Sequence, residues 1–136
     1  MNDPALVSET KMWLRKATMD LRAAEHDLSA LPPLFEDVLF HCQQAAEKAL
    51  KAFLVWHSCP FRRTHSLEEI GRQCVQIDAN FQSLVDGVVP LTQYAWEYRY
   101  PSDPEEPTPE EAEEALLLAR RTFDAVLSKL PQEVQP

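Results

Sequence analysis

Glycine is nearly missing from this chain, with 2 in 136 residues. Loops that cradle phosphates on backbone N–H groups need several glycines, so a Walker loop and a dinucleotide-binding fingerprint are excluded. Turn-rich all-β folds are disfavoured for a related reason. Cysteine is scarce and odd in number. Cys42, Cys59 and Cys74 include no close pair, unlike a secreted disulfide framework. No apolar run is long enough to span a bilayer. Met1 to Lys11 is polar and carries Pro4, unlike a secretory signal. The expectation is a reduced, cytoplasmic protein. Bases are outnumbered too, with 13 Lys and Arg against 22 Asp and Glu and a net charge of −9. Simple electrostatic coating of RNA or DNA calls for the opposite balance.

What is present suits one helical domain. Hydrophobic residues make up 45% and charged residues 26%, an ordinary globular mix. A chain this long buries roughly two-thirds of its unfolded surface, so a core can form without disulfides or metal. The expected layout is a single domain over residues 1–136 with a frayed tail at 131–136. The charge is uneven. Asp103 to Glu114 holds seven acids and no base, leaving 15 acids against 13 bases elsewhere. Lys48, Lys51, Arg62, Arg63 and Arg72 face only Glu68 and Glu69 between residues 48 and 72. That stretch reads as a solvated face or as a local basic patch.

The prolines punctuate a series of helical patterns. Leu14, Ala17, Leu21, Ala24, Leu28 and Leu31 recur at spacings of three and four, one apolar stripe on a helix from about Ser8 to Leu31. Pro32 and Pro33 end it, because a residue before proline avoids the helical region. Leu34 to about His57 carries a wider stripe, from Phe35 through Ala45, Ala46 and Ala49 to Leu54. Its alanines allow close helix approach, and Glu47 and Lys51 are an i,i+4 pair. Ser66-Leu67-Glu68-Glu69 is a capping box opening a third helix with Leu67, Ile70, Cys74 and Ile77 on one face. Asp78 to Asp86 reads as a connector or short helical turn, and Pro90 opens a short helix reaching about Tyr98. Thr108-Pro109-Glu110-Glu111 opens the last helix, whose stripe runs from Ala112 to Leu130. Acids near its start suit the positive end of the helix dipole, which gives the acidic run a structural meaning. The sum is an all-α fold: an antiparallel bundle of four main helices plus a short fifth.

Few residues carry obvious chemistry. His57, Cys59, His65 and Cys74 match no usual zinc spacing. No Gly-x-Ser-x-Gly elbow exists, and Glu-x-x-His pairs for a dimetal bundle site are absent. Neither a metal nor another cofactor is expected. The richest stretch is Tyr94-Ala-Trp-Glu-Tyr-Arg-Tyr-Pro101. Arginine pairs with phosphates and aromatics stack on bases. Equally, such aromatics pack a core, and Arg99 can cap a helix C-terminus.

Four segments in this order resemble the HEPN family. They are Trp13, Ala17 and Asp20-Leu21; Phe40-His-Cys-Gln-Gln-Ala-Ala-Glu-Lys-Ala-Leu-Lys-Ala52; Arg63-Thr-His-Ser-Leu67; and Arg99-Tyr-Pro101. The resemblance covers about Trp13 to Leu130. It implies a helical bundle that often dimerises and often pairs with a minimal nucleotidyltransferase, frequently as a toxin–antitoxin module. It also implies that some members are metal-independent ribonucleases, through an Arg, four to six residues, then His. Here no His follows Arg99, while Arg22 and His26 are separated by three residues and Arg62 and His65 by two. The catalytic motif therefore does not carry over, and the match is to a branch with Arg-Tyr-Pro in its place. The resulting expectation is a noncatalytic interaction module that forms a homodimer. It binds a nucleotidyltransferase partner and a nucleotide. Lys48, Lys51, Arg63, His65 and Arg99 are its phosphate or partner contacts, and Tyr98 and Tyr100 its stacking groups. The alternatives are an RNA endonuclease using Arg99 with a histidine from elsewhere, and a purely structural homodimer.

Overall fold

Helix starts and stops are written locally in this chain, and the architecture follows from them. In the computed structural model, which describes residues 2–98 and 105–136 without the side chain of Tyr94, Asp3 caps the first helix. Its carboxylate accepts from the Ala5 N–H at 2.9 Å, and α1 runs Pro4–Leu28. The start lies one turn before the expected Ser8, because Asp3 and Pro4 form a better cap. The end comes earlier than expected. Ser29 turns its N–H and hydroxyl back onto Glu25, leaving Leu31 beyond the helix and 96% exposed rather than in the stripe.

The second helix, α2, spans Phe35–Trp56 and is the centre of the molecule, with α1 and three later helices around it. Ala45, Ala46, Ala49 and Ala52 are fully buried, which lets neighbouring backbones come close. The helix ends in a Schellman pattern. The N–H of Ser58 bonds Val55 O and that of Cys59 bonds Leu54 O, both at 2.9 Å. This pattern needs a left-handed residue, usually glycine. Here Ser58 takes it, with φ of 53°.

The third helix, α3, covers Leu67–Ile77. Ser66 Oγ accepts from the Glu69 N–H at 3.2 Å, but the return half of the expected capping box is absent. Glu69 instead pairs with Arg62 Nε and Nη2 at 2.7 and 3.0 Å, and the Ser66 N–H bonds Thr64 Oγ1. A charged bidentate pair outcompetes a single neutral backbone donor. The connector is mostly helical: a 3-10 turn at Ala79–Phe81, then α4 at Gln82–Val88. Gly71 permits α3 and α4 to meet here, since a Cβ on it would sit 2.4 Å from Val85 Cγ1. Next come α5, Pro90–Glu97, and α6, Pro109–Ser128, the latter with both halves of its Thr108–Glu111 capping box.

The all-α bundle is as expected, with no strand among the described residues. The frayed tail is not. Val134 is buried, and Gln135 Nε2 donates to Leu127 O at 3.0 Å and Leu130 O at 3.2 Å. The Leu127 carbonyl takes the Leu130 N–H, and its i+4 position is Pro131, which has no N–H, so the returning side chain adds a second donor there.

Candidate functional site

The core-facing side of α2 is interrupted by polar side chains. Gln43, Gln44, Glu47 and Lys51 are buried beside its alanines. Groups of this kind are found inside only when paired, and here they form two clusters.

The first cluster joins α1 to α2. Asp20 accepts from Lys48 Nζ on one oxygen, and its other oxygen lies 2.9 Å from His41 Nδ1. The second nitrogen of His41 faces Asp27 at 3.9 Å. Only Nδ1 is within hydrogen-bond distance, but both ring nitrogens face carboxylates and the side chain is only 28% exposed.

The second cluster joins α2 to the segment before α3. Glu47 is 2% exposed. Its Oε1 lies 2.9 Å from His65 Nδ1 and 3.3 Å from Gln43 Nε2, and its Oε2 lies 3.2 Å from Lys51 Nζ. Gln43 Nε2 also donates to the backbone carbonyl of His65 at 2.9 Å, fixing the loop from below. The Lys51 ammonium sits between two rings, 5.4 Å from the centroid of Trp13 and 5.5 Å from that of Phe61. A weakly hydrated cation gains from aromatic faces in such a place. His65 itself is 60% exposed, and its ring lies 5.7 Å from Trp96, which packs in turn against Phe40.

The structure sorts the residues expected to touch phosphate. Lys48 and Lys51 already hold Asp20 and Glu47, so their charges face inward. Arg62 holds Glu69 and Arg72 holds Glu68. The basic stretch from Lys48 to Arg72 is therefore largely neutralised. Arg63 is the exception: it is exposed and makes no ion pair among the described residues. His65 joins it two residues on. Tyr98 donates its hydroxyl to Glu111 Oε2 at 3.2 Å, which ties the end of α5 to α6. Arg99 and Tyr100 lie outside the described residues. An apolar cavity of about 300 Å³ between Leu39, Leu91 and Leu118 is rimmed by Glu110, Glu111 and Glu114, a charge that repels phosphate.

Four residues of the site escaped the sequence reading as site residues: Asp20, Gln43, Glu47 and Trp96. Their signal was present, since Gln43, Gln44 and Glu47 interrupt an alanine-rich core stripe at helical spacing. Cys42 and Cys74 are buried, and burial pushes both thiols up to about 12. They are apolar packing groups rather than nucleophiles. No group of three His, Cys, Asp or Glu side chains converges as a metal site among the described residues.

A model of the HEPN domain family matches residues 10–130, nearly the whole chain. This chain belongs to the HEPN family. The matched span runs from the middle of α1 to the end of α6, and so contains both polar clusters. HEPN domains are often ribonucleases or interaction modules. Searches of curated proteins and of solved structures each found no match. Within this HEPN domain no described helix is long and apolar enough to cross a membrane.

Proposed function

We propose that this HEPN domain is a noncatalytic interaction module of a two-component, toxin–antitoxin-like system. It forms a homodimer in the cytoplasm and binds a minimal nucleotidyltransferase partner. A nucleotide occupies the edge formed by Arg63 and His65, and Tyr98, Arg99 and Tyr100 supply its further stacking and phosphate contacts. Lys51 serves as the internal counter-charge beneath His65, and Lys48 as one between α1 and α2, rather than as phosphate contacts. The chain belongs to the branch with Arg99-Tyr100-Pro101 in place of the standard ribonuclease motif. The observation that carries the reading is the loop with Arg63 and His65, where an exposed guanidinium without an ion pair among the described residues lies two positions from an exposed imidazole held by a buried, fully occupied carboxylate. Affinity capture of the tagged chain from its own cells tests it. A stoichiometric nucleotidyltransferase in the eluate, and a rise in Tm with millimolar ATP, are the expected results. Capture of the chain alone with no shift by ATP would leave a purely structural homodimer.

One observation favours a second reading, a metal-independent RNA endonuclease. A carboxylate that holds one imidazole nitrogen and leaves the other outward is the arrangement of a general base. His65 would take the 2′-hydroxyl proton and Arg99 would stabilise the charge on phosphorus. Cleavage of single-stranded RNA in EDTA, lost in both His65→Ala and Arg99→Ala, is its signature. Intact RNA after incubation with the native protein rules it out.

A further inference from the structure

The ring of His65 is held in one tautomer. With the Lys51 ammonium on Oε2 and the Gln43 amide on Oε1, Glu47 is a carboxylate that can only accept. The proton between it and His65 therefore sits on Nδ1, 2.9 Å away. The amide orientation is fixed as well, because Gln43 Oε1 accepts from Gln44 Nε2 at 2.7 Å and so Gln43 Nε2 faces Glu47. In the neutral imidazole the other nitrogen, Nε2, is then a bare acceptor. No described side chain donates to it, and the ring is 60% exposed.

An outward acceptor wants a donor from the ligand. Its neighbours say which kind. The Trp96 ring stands 5.7 Å from the imidazole. Two residues earlier in the same loop is the exposed Arg63, whose backbone is at most about 7 Å away along the chain. An aromatic ring, an acceptor and a guanidinium are the groups that take a base, a sugar hydroxyl and a phosphate. Phosphate oxygens cannot donate to Nε2, but a ribose hydroxyl can.

We infer that His65 Nε2 accepts a hydrogen bond from a ribose hydroxyl, so that this edge disfavours a nucleotide lacking that hydroxyl. The inference rests on the proposed nucleotide site and adds its sugar specificity. Glu47 is a positioning residue: it touches no ligand and acts by fixing the tautomer.

The test is calorimetric titration of the full chain with ATP, 2′-deoxy-ATP and 3′-deoxy-ATP. ATP should bind about three- to tenfold more tightly than one of the deoxy forms, the size of one hydrogen bond. His65→Ala should erase that preference while retaining binding, and Arg63→Ala should weaken all three nucleotides alike. Equal binding of all three, or a preference that survives His65→Ala, overturns the inference and leaves the nucleotide site standing. No binding of any nucleotide to the native chain removes both. The tautomer has its own readout, in the two-bond nitrogen–proton correlations of the His65 ring by NMR. A neutral ring protonated on Nδ1 is expected, with the preference lost in Glu47→Gln. A neutral ring protonated on Nε2, or an imidazolium, whose Nε2 donates, overturns the inference.

Discussion

Two polar clusters along one helix each join an acid, a lysine and a histidine, and they reach opposite ends. Asp20, Lys48 and His41 form one; Glu47, Lys51 and His65 form the other. In the first, the histidine comes from α2 itself and is caught between Asp20 and Asp27. Little of its ring is left open to a ligand. In the second, the histidine arrives from a loop and only its inner nitrogen is held. The acid and lysine are the more deeply buried pair, yet the histidine is the more exposed one. The lesson is that a buried ion pair can serve as a platform. Its value lies in what it orients at the surface, since a buried pair by itself is weak support for stability.

The comparison breaks most readily at the acids. Glu47→Ala leaves the Lys51 ammonium buried without a counter-charge, and should destabilise by about 3–5 kcal/mol. Asp20→Ala should lose about 1.5–3 kcal/mol, the range for hydrogen bonds to charged groups, because Lys48 is 23% exposed and can reach water. Urea denaturation of both variants measures this. An equal or larger loss from Asp20→Ala would reverse the ranking of the two clusters.

A smaller effect separates these paired charges from the neutral thiols beside them. Cys42 and Cys74 have values raised by burial from 9.0 to about 12. The unfolded chain loses these protons near its ordinary value, whereas the folded chain keeps them. Their contribution is therefore complete below about pH 9 and declines as pH rises toward 12. The slope reaches about 1.4 kcal/mol per pH unit for each thiol. Denaturation midpoints between pH 8 and 10.5 should fall accordingly, and Cys42→Ala should flatten the curve. A curve unchanged by that substitution would mean that burial does not hold the thiol neutral.

The smallest effect sharpens the contrast between the histidines. His41→Ala should destabilise by about 1 kcal/mol, through a lost charge-assisted bond at a half-buried position. His65→Ala should change stability by less than about 0.5 kcal/mol, as usual for an exposed side chain. A thermal melt of each variant decides it. A large loss from His65→Ala would make that residue part of the fold rather than the face of a site.

Much of the helical scaffold was legible from residues near one another in the chain. Thr108, Pro109 and Glu111 announce the start of α6, and Asp3 and Pro4 could have announced that of α1. The stripes of α2 and α6 fall where periodicity puts them. Legibility failed where two local rules competed. Ser66 and Glu69 read as a full capping box, but Arg62 takes the glutamate. Residues 131–136 read as a loose end, yet Gln135 returns to the carbonyls of Leu127 and Leu130. The site was half legible. Arg63 and His65 entered through the family resemblance, and Glu47 and Lys51 as an i,i+4 pair. Nothing local says that the second pair lies beneath the first.

By itself, then, the sequence determined the helices, their caps, their apolar faces and, through its motifs, the family. Those depend on neighbours within four residues, where backbone geometry sets the contacts. The tertiary structure decided which charges are consumed and which are offered. Asp20 meets Lys48 across 28 positions, and Glu47 meets His65 across 18. Packing α1 and the loop before α3 onto α2 brings these partners together. Away from water, a charged side chain must take the partner it is packed against, and only an atom left facing solvent remains for a ligand.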